Sequence, residues 1–391
     1  MSDDWNDLLT TWGAQAVSRE RDRDLLFDAV DVLRGRRFGA LRLPVESGGA
    51  GADLATVFAR LIELAAADAS LAHLWRGHLA FVEGLRWDGL GTDTARRWIP
   101  RIAAGDVVGN AFSERHETAE LTTRVVARGG ALRVSGVKHY TTGSLYADWV
   151  HVAALDDTDT RVALTVPATA RGVRIVDDWD GFGQQLTGSG TTILDEVEVD
   201  PADIRALGPD DEDRHRYIGG LYQLTLLAVV AGIARRAVED TAAFVRPRRR
   251  TFGFSGEHRP ADDPLVQLVL GEVSAAAAAA RRLVLSLAAD LDAAGAGHDA
   301  DALAALELEV YRAQHTITDS VLAATTRLFE VGGASATGRS LALDRHWRNV
   351  RTIASHNPTL QRVRAVGRFE LDGTPPEWSA PAASPADEVR A

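Results

Sequence analysis

The sequence predicts an α+β protein, mostly α, in which helices precede and follow a smaller β unit. Apolar residues recur at helical spacing through the first third of the 391-residue chain. Short segments of alternating apolar and polar residues fill the middle, and three long helical segments follow them. Because one core rarely serves more than about 250 to 300 residues, we expect several packed units.

The first unit, residues 1–107, is predicted to be an α-helical domain. Apolar periodicity is clear in DLLFDAVDVLRG and in DLATVFARLIELAAADASLAHLWRGHLAFVEGL. Between them lies LRLPVESGGAGAD, residues 41–53, where a proline and several glycines predict a loop. The first third therefore reads as helices with one glycine-rich crossing.

The second unit, residues 108–207, is predicted to be an antiparallel sheet or barrel. Its segments are short and alternate in polarity, as in LTTRVVARGGALRVSG, RVALTVP and TTILDEVEVDP. Arg128-Gly129-Gly130-Ala131 lies between two alternating runs and supplies residues that tolerate positive φ. A hairpin is expected there.

The third unit, residues 208–373, is predicted to be a helical bundle with long helices at about 217–246, 264–294 and 301–331. The stretch YIGGLYQLTLLAVVAGIA, residues 217–234, carries no charge. We assign it to a buried central helix rather than a membrane span, because its helical pattern runs on into Arg235 and Arg236. Residues 374–391, rich in Pro, Ala and acids, are predicted to be disordered.

Composition excludes several classes of function. The chain carries 55 acidic and 43 basic residues, a formal charge of −12, so we expect no binding to nucleic acid or to an anionic membrane. It has no cysteine, which excludes disulfides, thiolate metal ligands and a cysteine nucleophile. The N-terminus lacks the basic and apolar regions of a signal peptide, so we expect a cytoplasmic protein.

Spacing excludes several familiar sites. No GxGxxG follows a predicted strand and no GxxxxGK[ST] occurs, which argues against a Rossmann site or a P-loop. His73 and His78 are five residues apart, so they do not share a helical face as the histidines of HExxH do, and we expect no metal site. TGSGTT, residues 187–192, is not the GxSxG of a serine hydrolase.

Four polar groupings remain as candidates for a site. They are NAFSERHE with VKHYTTGS, FVRPRRRTFG, FEVGGAS and LDRHWRNVRTIASHNP. Each has an ordinary structural alternative: turn polarity, a basic helix end that complements the helix dipole, a glycine C-cap, and an ion-pair surface. Those alternatives stay open for each grouping taken alone.

Together the motifs resemble one family over nearly the whole chain. LPVESGGAG, DGFGQQLTGSGTT, RRRTFG and FEVGGAS resemble landmarks of the acyl-CoA dehydrogenase fold. That resemblance implies an N-terminal helical domain, a central antiparallel β-barrel and a C-terminal four-helix bundle. LDRHWRNVRT with GFGQQLTGSGTT is similar to the group D flavin-dependent monooxygenases, the branch that includes dibenzothiophene monooxygenase.

The resemblance implies which residues bind a flavin. They are Ser113, Tyr140 and Thr142 at the isoalloxazine ring, and Arg249, Phe252, Gly332 and Gly333 at the phosphates. The glycine pair permits close backbone approach to a phosphate or ribose. In the dehydrogenases the arginine element reaches across a dimer, so the resemblance implies a homo-oligomer, a tetramer as in the family.

The chain lacks the general base that the dehydrogenases use. Their carboxylate lies either just after the late arginine segment, here at or next to Asn357, or in the first long bundle helix, here within GGLYQLTLLAV, residues 219–229. Neither position holds an acid. Losing acid–base catalysis costs roughly 100- to 10,000-fold in rate, so acyl-CoA dehydrogenation is disfavoured.

Oxygen transfer is the favoured chemistry. Reduced flavin and dioxygen give a C4a-hydroperoxide, which transfers one oxygen atom where water and stray protons are excluded. His356, with an ordinary pKa near ~6.5, can hydrogen-bond such a peroxide or exchange a proton with it. The resemblance adds His78, and it places Thr142, or less surely Ser144, near flavin N5. His73 and His346 are interpreted as structural.

The substrate pocket is less constrained by the sequence. Aromatic Trp75, Phe81 and Trp179 suit a fused ring or an indole-like molecule, although core packing is the alternative for each. Ile353, where the related sequences have a second histidine, and Asn357 are expected beside His356.

The leading hypothesis is the oxygenase component of a two-component monooxygenase. It would use O2 with FMNH2 or FADH2 from a separate flavin reductase to oxygenate an aromatic or heteroaromatic small molecule. The alternatives are an acyl-CoA dehydrogenase-type FAD oxidoreductase with a relocated base, and a non-catalytic relative kept as a scaffold.

Overall fold

The computed structural model describes residues 2–115, 121–208, 211–250 and 259–376. The chain begins with six helices, as the apolar periodicity predicts. They are α1 (Ser2–Asp22), α2 (Phe27–Gly35), α3 (Leu54–Ala67), α4 (Ala69–His73), α5 (Arg76–Asp88) and α6 (Asp93–Ala104). The glycine-rich loop separates α2 from α3; one short 3-10 turn, Val45–Ser47, lies within it and another, Phe38–Ala40, just before it.

The stretch of helical periodicity over residues 53–85 forms three helices. Asp68 adopts an extended conformation, and its Oδ1 accepts hydrogen bonds from the backbone N–H groups of Ser70 and Leu71, which ends α3 and caps α4. A second break, at Leu74 and Trp75, separates α4 from α5. The two breaks change which side chains share a face, and this bears on the site.

Eight strands form the sheet of the middle unit. They are β1 (Val108–Ala111), β2 (Arg124–Arg128), β3 (Ala131–Lys138), β4 (Trp149–Leu155), β5 (Arg161–Pro167), β6 (Val173–Val176), β7 (Thr191–Val199) and β8 (Ile204–Ala206). Their order is β6-β7-β3-β2-β4-β5-β8, with β1 beside β4. The hairpin at Gly129 and Gly130 is confirmed, and both glycines have positive φ. The sheet is mixed rather than wholly antiparallel, because β4 pairs in parallel with β1 and β2.

Long helices return after the sheet. They are α7 (Glu212–Val245), α8 (Pro264–Gly297), α9 (Ala300–Arg327), α10 (Asp344–Ala354) and α11 (Thr359–Asp372). Helix α7 is long and apolar enough to cross a membrane, but 83% of its most apolar stretch is buried inside the fold. It is therefore the central core helix that the sequence predicts.

The first helices and the bundle share a single hydrophobic core. Leu61 of α3, Leu226 of α7 and Val284 of α8 belong to one buried cluster, while the sheet has its own. The sequence order of helices, strands and helices is confirmed. The division into domains at residues 107 and 207 stays a prediction, and most of the predicted disordered tail lies outside the described residues.

Candidate active site

His356 lies in the turn between α10 and α11, beside residues from three other parts of the chain. The residue is exposed in the single chain, and protein atoms also lie close around its ring. Burial, then the charge of Arg76 and the nearby His73, hold the pKa of His356 well below its usual value, against a hydrogen bond with Asn357. His356 is therefore neutral at pH 7, and Arg76 and His73 are its neighbours.

Asn357 joins His356 to a network of amide and guanidinium groups. Its Nδ2 donates to Oε1 of Gln223 on α7 over 2.9 Å. Nη1 of Arg362 donates to the same Oε1 over 2.7 Å and to Oε1 of Gln314 over 2.6 Å. The two segments in which acyl-CoA dehydrogenases have their carboxylate base therefore hold, in this chain, two amides that contact each other.

The hydrogen bonds of Gln184 to Asn349 determine which ring nitrogen of His73 carries the proton. The N–H of Gln184 can only donate, and it lies 2.6 Å from Oδ1 of Asn349, which must therefore be the oxygen. Nε2 of Gln184 donates to the same Oδ1 over 3.0 Å. Oε1 of Gln184 then faces Nδ1 of His73 at 2.9 Å, so Nδ1 carries the proton.

The other ring nitrogen of His73 is left as an acceptor. His73 is 4% exposed, and its Nε2 has no hydrogen-bond partner within the described parts of the chain. Burial, with the charge of Arg76, lowers the pKa of His73 to about 4, so the ring is neutral at pH 7. A buried acceptor without a partner is unfavourable, which marks Nε2 as a group that awaits a ligand donor.

From the sequence His73 is interpreted as structural, whereas its Nε2, without a hydrogen-bond partner in the described residues, favours a role in the site. His73 closes α4, and a new helix starts at Arg76, so the helical phase does not continue between them. Periodicity cannot then say whether His73 or His78 faces the site. The useful signal was the Asp68 cap, which predicts a helix start five residues before His73.

The structure does not support a catalytic role for His78. Its Nε2 donates to the carbonyl oxygen of Gly39 over 3.0 Å, and its Nδ1 accepts from the backbone N–H of Val108 over 3.1 Å. The ring is fully buried, and burial lowers its pKa to about 4. Since both nitrogens are committed to the backbone, His78 joins the first helices to β1.

A chain of hydroxyl groups leads to Thr142. Thr187 donates to the carbonyl oxygen of Gln184 over 2.9 Å, so Ser189 must donate to Thr187 over 2.7 Å. By the same logic Thr142 donates to Ser189 over 2.7 Å. The Oγ1 of Thr142 keeps its lone pairs, and the TGSGTT segment is what sets this direction.

Other predicted ring contacts lie near Thr142 at the edge of the sheet. Ser113 bridges to His139, whose N–H donates to its carbonyl oxygen over 2.9 Å. Tyr140 is 44% exposed in a left-handed conformation, φ 58°, and Trp179 packs edge-on against it at 6.1 Å between ring centroids. An exposed, fixed pair of aromatic rings next to Thr142 suits a planar ligand.

Ser144 and Asn110 meet on the inner side of the same region. Ser144 is fully buried and donates from Oγ to the carbonyl oxygen of Asn110 over 3.3 Å. Oδ1 of Asn110 is buried and has no hydrogen-bond partner in the described ranges. Sequence patterns gave no reason to single out Asn110, because a polar residue at a strand end is usual.

Of the predicted pocket residues, Phe81 lines a large cavity. The cavity, of about 630 Å3, lies between α5, α7 and the sheet, and Phe112, His151 and Tyr222 also line it. Trp75 does not reach it: Trp75 is fully buried and packs on Phe38 at 5.1 Å between ring centroids. Trp75 belongs to the hydrophobic core, and so does Ile353, which is 4% exposed.

Comparison with known proteins agrees with this architecture. The profile of the family described as "Acyl-CoA dehydrogenase, C-terminal domain" matches residues 224–360. The dibenzothiophene monooxygenase of Mycolicibacterium goodii is 29% identical, over 94% of this chain and 92% of its own. A probable FMNH2-dependent monooxygenase of Pseudomonas putida, SfnC, is 29% identical over 88% of each chain.

A solved structure extends the likeness to three dimensions. FMN-bound TdsC from Paenibacillus sp. A11-2 superposes with a TM-score of 0.90 and 27% identity, over 96% of this chain and 98% of that one. The chain is a homologue of the acyl-CoA dehydrogenase-fold flavin monooxygenases. Both the predicted fold and the predicted class of enzyme are confirmed.

In this homologue of the flavin monooxygenases, the predicted phosphate-binding elements lie together. Arg248, Arg250, Gly332 and Gly333 line one open groove of about 900 Å3 at the end of α7. Arg249 is exposed between the two arginines, and Phe252 lies outside the described residues. No residue described around Thr142 or His356 lines this groove, so one chain does not bring the ring contacts and the phosphate contacts together.

His346 is structural, as the sequence interpretation holds for it. Its Nε2 donates to Oδ2 of Asp240 over 2.9 Å, and the side chain is 2% exposed. Burial lowers the pKa of His346 to about 4. Arg345 pairs with the same carboxylate, whose pKa is lowered, against the effect of burial, by His346 and Arg345. This cluster anchors α10 to α7 behind the monooxygenase site.

Proposed function

We propose that this chain is the oxygenase component of a two-component monooxygenase, with its active site formed around His73, His356 and Thr142. The observation that carries the proposal is Nε2 of His73, which has no hydrogen-bond partner in the described residues, near His356, beside which Asn357 and Gln223 present amides in place of a carboxylate base. The full-length likeness to an FMNH2-dependent monooxygenase and to FMN-bound TdsC supports it.

The residues present fit a reduced flavin. Two buried polar atoms, Nε2 of His73 and Oδ1 of Asn110, lack partners in the described residues, and Thr142 keeps free lone pairs. Ser113, Tyr140 and Thr142 would hold the ring. When bound, the reduced flavin would supply the two electrons that activate O2, and O2 would supply the oxygen atom that is transferred.

The chain's own groups would control protons and water. His73 can accept a hydrogen bond at Nε2 and cannot donate there, because Gln184 fixes the proton on Nδ1. His356 is the neutral partner that exchanges a proton with the departing oxygen or the substrate. Burial, together with the charge of Arg76, keeps both rings neutral, so neither releases a stray proton into the site at pH 7.

We propose an aromatic or heteroaromatic substrate in the cavity that Phe81 lines. Phe112 packs edge-on against His151 at 5.3 Å and Tyr222 at 6.5 Å, which gives the cavity aromatic walls. TdsC has also been solved with FMN and indole, with a TM-score of 0.88 and 27% identity over 96% of this chain and 98% of that one. An aromatic substrate is consistent with both.

Flavin supply and assembly complete the proposal. We infer FMN rather than FAD, because relatives bind or use FMN. We also infer that a separate flavin reductase supplies the reduced flavin and that the protein is cytoplasmic. Because the glycine pair, Arg248 and Arg250 line a groove apart from Thr142, and Arg249 lies between those two arginines, we infer that a second copy of the chain supplies the phosphate contacts to one flavin. A homotetramer built from such pairs is the proposed assembly.

The test supplies the purified protein with NADH, a flavin reductase, FMN, O2 and indole. We expect hydroxylated indole products only when all components are present, and none from the H356A variant. Full product formation from oxidised FMN without the reductase would contradict the proposal.

A further inference from the structure

Arg76 is a buried cation without a carboxylate partner in the described residues. It is 9% exposed, its Nε donates to the carbonyl oxygen of Tyr222 over 3.2 Å, and its guanidinium carbon lies 4.3 Å from the centroid of that ring. The described residues offer its Nη1 and Nη2 no hydrogen-bond or ion-pair partner. Burial lowers the pKa of Arg76 to about 10.

Other buried arginines of the chain are neutralised. Arg19 pairs with Asp28 at 2.5 Å, Arg42 pairs with Glu83 at 2.6 Å, and Arg345 pairs with Asp240. Burying a charge without a partner is costly, so proteins normally pair it. An unpaired buried guanidinium is thus retained for something that the chain itself does not contain.

The surroundings of Arg76 increase the local positive potential. Arg76 is the first residue of the 13-residue helix α5, the end at which the helix dipole disfavours a cation. A second buried guanidinium, that of Arg362, is close enough to lower the pKa of Arg76 further. Arg362 donates hydrogen bonds to the neutral amides of Gln223 and Gln314, and Tyr311 and the carboxylate of Glu307 also act on its charge.

This positive region adjoins the proposed site. The charge of Arg76 acts on both His73 and His356, and Tyr222, on whose ring Arg76 lies, lines the aromatic cavity with Phe112. An anionic group held by Arg76 would therefore leave the rest of a small molecule between the histidines and the cavity walls.

Resting on the proposed function, we propose that the aromatic substrate carries a carboxylate, and that Arg76 binds it. A guanidinium binds a carboxylate through two parallel hydrogen bonds, which fixes orientation as well as charge. Arg76 is then the residue that selects an aromatic acid over a neutral aromatic molecule and orients it beside His73 and His356.

The test measures ligand binding and needs no turnover. Calorimetry on the full flavin-free chain compares benzoate with benzamide, which has the same size and no charge. We expect benzoate to bind at least about tenfold more tightly, from a charge-assisted pair. R76Q should lose this preference, and R76K should keep part of it.

A matched control is available at Arg101. Its guanidinium also lies over aromatic rings, 4.8 Å from the centroid of Trp98 and 4.4 Å from that of Trp149. R101Q removes the same charge and should keep the benzoate preference. Melting curves establish that each variant is folded, and if R76Q does not fold, the wild-type and R76K comparison decides.

Three results would overturn the proposal. In the first, the wild type binds benzoate and benzamide equally tightly, or binds neither of them. In the second, R76Q still prefers benzoate. In the third, R76Q loses affinity for FMN while its binding of benzoate is unchanged. The last would assign Arg76 to the flavin. All three leave the oxygenation test untouched, so failure here is separable from failure of the proposed function.

Discussion

Nδ2 of Asn357 donates a 2.9 Å hydrogen bond to Oε1 of Gln223. The two segments that hold the catalytic base in the dehydrogenases thus meet through amide groups in this chain. Neither amide accepts a proton at neutral pH. We therefore expect no bleaching of protein-bound oxidised flavin when butyryl-CoA is added without oxygen. Rapid bleaching in an anaerobic cuvette would restore the dehydrogenase alternative.

His73 and His78 make a matched pair of histidines with opposite roles. In H73N the acceptor that faces the site is displaced, so product formation per reduced flavin should fall roughly 100-fold, with H2O2 released instead. In H78N two buried backbone partners lose a ring nitrogen, so the free energy of unfolding should fall by about 1 to 3 kcal/mol while the folded enzyme keeps its coupling. Product, H2O2 and urea denaturation curves distinguish them. The reverse pattern would exchange the two assignments.

Gln184 acts through His73 as a positioning residue, and replacing its neutral amide by a carboxylate should introduce a pH dependence. In the wild type His73 has a pKa of about 4, so its Nε2 is an acceptor throughout pH 6 to 8.5 and activity should be flat there. Q184E places a carboxylate against Nδ1 and raises the pKa of His73, because it favours the charged ring. The variant should then lose activity as pH falls from 8.5 to 6. Identical pH profiles for the two proteins would contradict the role of Gln184.

Arg249 tests the cross-subunit contact. It is exposed in the single chain, so R249Q should leave the melting temperature within about 1 °C, since surface substitutions cost little. If it meets the flavin phosphate of a partner copy, FMN affinity should fall about tenfold, as for other charge-assisted bonds. Arg235, exposed on α7 and paired only with Glu239, is the matched control. An active monomer in sedimentation would contradict the shared site.

Much of the fold is accessible from the sequence, because helical periodicity and the hairpin glycines are local signals. The site divides differently. His356 can be identified from its neighbours in the chain. The direction in which His73 points depends on a break between two helices, and helical periodicity does not predict the change of phase at that break. The roles of Gln184 and Asn349 depend on a contact across 165 positions, which no local pattern encodes. The role of Arg76 is not predictable from the sequence, because a lone arginine in an apolar helix is ordinarily expected at the surface and only the structure shows that it is buried.

The central claim is that this chain holds a reduced flavin where its oxygen reaches His73 and His356 rather than water. Stopped-flow mixing of the protein and FMNH2 with O2, in the absence of substrate, tests it most directly. The structure predicts that oxidised FMN appears only after a slow second phase, and that H73N and H356A shorten this delay. Reoxidation in a single phase, at the rate of free FMNH2 and unaffected by either substitution, would contradict it.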